Sequence, residues 1–387
     1  MPFTHLVHTR NIIDPLYGVK FTGKLGSKYS LASIVSTDEF NDDHDHYQIF
    51  RLRRNFKDDN YIGVIYTGKE NTNAYNRIGG FDGIIRLSGK SSMEYYFFKS
   101  FSDDTLNFKS GNSFGAVYKY KDKIHFLRIG YSQIDKDFET QIGYLERGGL
   151  QIIPISYSAI FPVKSNWLNN AGVIFHTRQK RDLYSEKHEH STNIGVQLNF
   201  NNDSWIQIGR RFSSEIFQNK SFNTTAFQSY YFVQFNKYIS SEGFIRWGNQ
   251  IYYDPSAPFQ GYGWMTNHTL SIAPTNQLKI NLSGCYADFY RSSDDKFIYD
   301  YTLARVESIY QINKYLLLRA IGEYNFYKEK LNSEFLISFN YIPGTVLQIG
   351  YNLNAEKNLL DKNLLANNDL QVNHNLFFFK ASYLFKR

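Results

Sequence analysis

Two short clusters hold the side-chain types that bind cations. Asp42, Asp43, His44, Asp45 and His46 form one, and Glu186, His188, Glu189 and His190 form the other, each in a polar stretch that reads as a loop. Carboxylates suit hard cations and imidazoles suit Zn²⁺, so His44, His46, His188 and His190 are the candidate metal ligands. Neither cluster follows an established ligand spacing, and solvated acidic loops have the same composition. Neither a resident metal nor any other cofactor is therefore expected. Catalysis would need a nucleophile, a base and an orienting group brought together. Ser and His are plentiful, but no His-Glu-x-x-His motif is present and no convergent set is legible, so a non-enzymatic role is expected.

A third constellation is the charged, Gly-containing segment from Asp137 to Arg147, which departs from the alternation on either side of it. It could fold inward or at a rim and narrow a passage, with Glu139, Glu146 and Arg147 touching solute. It could equally be a structural loop whose Arg pairs with a nearby carboxylate. Further basic residues, Lys20, Lys24, Arg86, Lys279 and Arg319, fall on the polar faces of alternating segments together with Asp82 and Glu323. Asp82, Arg86 and Arg319 are the interior contacts singled out from this set, whether they meet solute or one another. Cys285 shares such a face with Lys279, Asn281 and Ser283, where a lone thiol reads as a small filler.

The elements that must position these residues are strands. In Ile194, Val196, Leu198 and Phe200 every second residue is apolar, while Asn193, Gly195, Gln197 and Asn199 are polar or small. One face of such a strand wants an apolar medium and the other wants water. The pattern recurs at Phe81 to Leu87, Leu278 to Leu282, Leu316 to Phe326 and Phe335 to Tyr341, and no long helical window interrupts it.

Composition limits what these strands can build. The chain of 387 residues carries 33 Phe and 31 Tyr, with a mean hydropathy of only −0.45. Disorder is excluded by the aromatic content, a disulfide scaffold by the single Cys, and a helical membrane protein by the lack of any run near the roughly 18 apolar residues a spanning helix needs. The net charge of +7 is modest for this length and does not argue for nucleic acid. Either a large soluble β-protein remains, or a barrel that shows one face of each strand to lipid.

Connection lengths favour the barrel. Short turns at Gly26-Ser27, Asp58 to Asn60, Lys121 to Lys123, Asn201 to Asp203, Ser240 to Glu242, Asn313-Lys314 and Pro343-Gly344 alternate with longer polar stretches such as 36–46, 102–112, 180–191 and 354–373. Tight turns on one rim and longer loops on the other mark an outer-membrane barrel. The reading is all-β: a transmembrane antiparallel up-and-down β-barrel of about 20 strands, between about 16 and 22, forming a single domain over residues 1–387. Residues 3–13 are the candidate initial strand that brings the count to about 22. Its partners are outer-membrane lipid and lipopolysaccharide, with the oligomeric state open.

Several stretches also carry a resemblance. Tyr17 to Lys24, Tyr61 to Thr67, Asn76 to Gly83, Asp137 to Arg147 and Phe379 to Phe385 fall in order along nearly the whole chain. They resemble a family of Gram-negative outer-membrane barrels of unknown function that usually follow a module like carbohydrate-binding family nine. The resemblance implies outer-membrane localisation and an association with polysaccharide through that module. Family members carry a signal peptide and the module before the barrel, whereas this sequence opens Met1-Pro2-Phe3-Thr4-His5 with no basic and apolar leader. Either the sequence begins inside the barrel or the export signal and module lie upstream. A pore or transport-related channel, or an anchor for a glycan-binding module, is the expected function; a barrel-embedded hydrolase of lipid or glycan is the alternative.

Overall fold

The computed structural model describes residues 6–8, 11–12, 15–40, 43–104, 107–145, 147–342, 344–357 and 370–383. They form a 22-stranded sheet with no α-helix among the described residues. The strands are β1 (Pro15–Leu25), β2 (Tyr29–Phe40), β3 (Asp43–Asn55), β4 (Tyr61–Glu70), β5 (Tyr75–Arg86), β6 (Ser91–Asp103), β7 (Phe108–Lys121), β8 (His125–Ile134), β9 (Leu150–Pro162), β10 (Leu168–Asp182) and β11 (His188–Phe200). They continue with β12 (Trp205–Phe217), β13 (Lys220–Asn223), β14 (Ala226–Asn236), β15 (Ile239–Tyr252), β16 (Phe259–Ile272), β17 (Leu278–Arg291), β18 (Phe297–Gln311), β19 (Leu316–Asn325), β20 (Lys330–Ile342), β21 (Thr345–Glu356) and β22 (Gln371–Ser382).

The chain divides into two compact units. The first holds the described residues up to Ile160, with Val173–Ile194 and Ser213–Ser221. In it β1 to β9 pair antiparallel in chain order, each with the next. The second holds Phe161–Gly172, Gly195–Phe212 and the described residues from Phe222 onward. There β12 pairs directly with β14, and β14 to β22 again pair antiparallel in chain order.

Two expectations change. Residues 6–8 and 11–12 are not strand. Their apolar side chains come as neighbours rather than alternating, and Leu6 and Val7 pack onto the strands instead of pairing with them. The twenty-second strand is the four-residue β13, entered through Gln218 and Asn219, both at positive φ (48° and 59°) as a tight primed hairpin requires. The connection lengths also differ. β6 and β7 are separated by four residues, β10 and β11 by five, and β19 and β20 by four, because the polar stretches around them continue as paired strand. Backbone ladders do not depend on side-chain polarity, so polar composition did not end these strands. Among connections whose residues are nearly all described, the long one is 135–149. Ser240 to Glu242 lies inside β15, and the turn falls at Lys237-Tyr238.

Burial in the first unit is inverted relative to a water-soluble sheet. Ile62, Val64, Phe81, Ile85 and Ile129 are exposed, while Thr67, Asn76, Asp82, Ser100, Ser113 and Ser132 are buried. Register aligns Val64, Phe81, Phe97 and Phe114 across four strands, with Phe81 and Phe97 stacked at 5.9 Å. Strand alternation therefore puts a continuous apolar row on the uncovered face and the polar residues on the other. In the second unit Trp247, Trp264, Leu282, Tyr286 and Val306 are likewise exposed.

Candidate functional site

The covered face of β3 to β8 is the most elaborated surface in the first unit. Onto it folds the connection between β8 and β9, and with it residues 6–8 and 11–12. Phe138 is 1% exposed and packs with Leu6, Ile65, Ile78, Tyr96, Phe98 and Ile134. Ile142, also 1% exposed, packs with Tyr47 and Ile49, joined by Val7, Ile12 and Ile34. Each of these two side chains contributes about 2 kcal/mol through burial. The apolar patch that receives them interrupts an otherwise polar strand face, and the segment supplies what that patch lacks.

Polar side chains of the strands satisfy the segment's backbone. Asn76 donates from Nδ2 to the Glu139 carbonyl (3.2 Å) and accepts from the Gln141 N–H at Oδ1 (3.0 Å), while the Glu139 N–H donates to Ser100 Oγ (3.2 Å). Asn11 Nδ2 donates to the carbonyls of Gln141 (3.0 Å) and Gly143 (2.9 Å), and the His8 N–H to that of Ile142 (2.9 Å). Buried backbone away from a ladder needs such partners. Gly111 permits the approach: a Cβ there would lie 2.2 Å from the Phe138 nitrogen.

Both ends of the segment are tied down. At the start, burial pushes the Asp135 carboxyl up, but donors from Gln133 and from the Asn112 side chain and backbone outweigh it and hold the group below its ordinary value. At the far end, Arg147 pairs with Asp182 and, at 3.0 Å, with Glu189, which also takes Lys180 at 3.5 Å. Asp182 and Glu189 are buried, so their charges are compensated inside a poorly solvated cluster. Gly149, at φ +66°, closes the segment with its N–H on the Asp135 carbonyl (3.2 Å).

The singled-out residues now have places. Glu139 pairs with Lys109 at 2.6 Å on the exposed side of the segment, and Arg147 forms the latch just described. Glu146 lies outside the described residues. Asp82 sits on the covered face, where it accepts from Arg51 (2.8 Å) and Tyr61 (3.0 Å). Arg86 is at the turn end of the same strand and faces Asp59 at 3.2 Å. Arg319 belongs to the second unit, on β19, and pairs with Glu334 of β20.

The two cation-type clusters do not converge, and the reason is period two. His44 and His46 lie on β3 rather than in a loop, exposed, while the intervening Asp45 is buried on the opposite face with Lys69 at 2.9 Å. His188 and His190 lie on β11 in the same way; His190 Nδ1 meets Ser214 Oγ at 2.9 Å, and Glu189 turns to Arg147. Among the described residues no group of three or more His, Cys, Asp and Glu is placed to hold a metal ion. One motif escaped the sequence reading: Gly111-Asn112-Ser113-Phe114-Gly115 has the Gly-x-Ser-x-Gly form. It runs straight through β7 with Ser113 wholly buried near the Tyr96 hydroxyl, whereas a nucleophile elbow needs a sharp strand-to-helix turn.

A second feature lies at the turn end of β5 to β8. Arg86, Lys90, Lys119, Lys121 and Lys123 surround an open cavity of about 700 Å³. Asp122 in its wall is held at about 2 by the His125 and Ile124 N–H groups and the Tyr120 hydroxyl.

No protein-family model matches this chain, and no curated protein matches it. Solved structures do. The ferric enterobactin receptor of Pseudomonas aeruginosa, in a double-mutant form, is similar with a TM-score of 0.57 at 8% identity, over 85% of this chain and 68% of that one. The siderophore receptor PirA of the same organism gives 0.56 at 8% identity, over 86% and 73%. The PirA receptor of Acinetobacter baumannii gives 0.53 at 6%, over 93% and 73%. At such identities the likeness concerns the fold alone, and the fold is that of outer-membrane receptors: an antiparallel up-and-down β-barrel.

Proposed function

We propose that this protein is a transport-related barrel of a Gram-negative outer membrane in which the 135–149 segment lies over the polar strand face of the first unit and narrows the passage. The observation that carries the reading is the inverted burial of the first unit: an apolar strand face left uncovered, and a polar face occupied by Phe138, Ile142 and the Asn76-bonded backbone between them. Lipid and lipopolysaccharide are the partners of the apolar face, since an uncovered apolar band of this kind is costly in water. The solved proteins reported above are siderophore receptors, which favours a role in solute entry.

Planar-bilayer conductance tests the reading. The native protein should show a small unit conductance. Gly111→Val, which drives a side chain into the Phe138 backbone, should raise it while the protein still folds to a heat-modifiable band. Equal conductance in both proteins would mean that the segment does not narrow the passage. No conductance in either would remove the passage itself.

A further inference from the structure

The segment covers the strand face near the end of β8 from which it leaves, and at the opposite end, at the β5–β6 and β7–β8 turns, the chemistry changes. Arg86, Lys90, Lys119, Lys121 and Lys123 line a cavity of about 700 Å³, floored by Ile124 and Phe126 and flanked by Ser91 and Ser92. That volume suits a small solute.

Among the described side chains, three carboxylates stand near these five cations, and each is already engaged. Glu94 takes Lys119 at 2.5 Å, Asp59 takes Arg86 at 3.2 Å, and Asp122 accepts the N–H groups of Ile124 (2.9 Å) and His125 (2.7 Å) and the Tyr120 hydroxyl (2.9 Å). Among the described residues, no carboxylate forms an ion pair with Lys90, Lys121 or Lys123, and all three are exposed. The Lys121 N–H donates to the Lys90 carbonyl at 2.8 Å, which ties the two turns together and brings their lysines to one rim. Like charges held side by side repel, and a multiply charged anion is what relieves them. Ammonium groups are compact point charges that suit phosphate, and Ser92, on the same strand face as Glu94, adds a hydroxyl donor.

We propose that this cavity is a phosphate-binding site, formed by Lys90, Lys121 and Lys123 with Lys119 and Arg86 behind them. The site stands on its own geometry and does not require the passage to conduct. The same chemistry could arrive as a free phosphorylated solute or as a phospholipid headgroup, and the two sources separate experimentally.

Pyrophosphate is titrated calorimetrically into the full chain in an uncharged detergent at low ionic strength, and a parallel titration uses phosphatidylglycerol in mixed micelles. Binding of pyrophosphate identifies a soluble ligand; binding of phosphatidylglycerol alone identifies a headgroup. Either supports the site if the Lys90→Gln, Lys121→Gln, Lys123→Gln triple variant weakens it by about tenfold, the triple Arg variant retains it, and added salt weakens it. A heat-modifiable band confirms that each variant is folded. No binding of either probe overturns the proposal, as does binding that the triple Gln variant leaves unchanged. An acidic peptide that binds where pyrophosphate does not would overturn it in favour of a protein partner.

Discussion

Arg147 joins the end of the inserted segment to two buried carboxylates, and its loss leaves Asp182 and Glu189 with Lys180 as the remaining cation of the cluster. Breaking a buried pair from one side costs about 3 kcal/mol, less some relief from solvent because the Arg147 side chain is about one third exposed. Arg147→Ala should therefore lower the thermal midpoint in detergent by several degrees, and Arg147→Lys should recover part of it. An unchanged midpoint in the Ala variant would show that the latch contributes nothing. Asp135 acts at the other end of the segment, and its contribution depends on pH. Its folded value lies below its unfolded one, so its contribution is fully present above the unfolded value of about 4 and is lost as pH falls through the lower folded value. Proteolysis within 136–148 should be slow at pH 6, faster below pH 4, and nearly pH-independent over that range in Asp135→Asn. Equal cleavage of the native protein at both pH values would contradict this.

Strands supply the medium-range logic. The row Val64, Phe81, Phe97 and Phe114 belongs to four strands and one face, and a charge placed in it must leave water for hydrocarbon. Val64→Lys should cost about 2–4 kcal/mol in denaturant unfolding from liposomes, the range for a lysine on the lipid side of a barrel near the midplane. The same substitution at Val64 would cost little if that face were in water. Strand extension also explains why polar stretches expected as loops are ladder: Asp43 to His46 and His188 to His190 keep both periodicity and pairing beyond the apolar rows.

At the scale of the molecule, the proposed membrane setting would give the exposed aromatic and aliphatic residues of the 22 strands an apolar solvent on one face. Purified protein should be β-rich by circular dichroism and should migrate differently on a gel before and after boiling. A monodisperse protein in buffer without detergent would defeat the membrane reading.

The sequence by itself determined that the chain is built of strands and, where alternation is clear, which strand face is apolar, because alternation is a local property legible within a window of eight residues. Asp82 and Arg86 could thus be assigned to a polar face, and Phe81 and Ile85 to an apolar one, without a neighbour in view. It also left a trace of the segment's role, in Phe138 and Ile142 standing four apart within a charged stretch. Tertiary structure decided where that segment goes. Ile78, Phe98 and Leu6 come from far-separated parts of the chain, and only their convergence makes the apolar seat that Phe138 fills. It also decided that the imidazoles of His44, His46, His188 and His190 face away from the carboxylates between them, since strand geometry separates alternate residues that composition alone groups together.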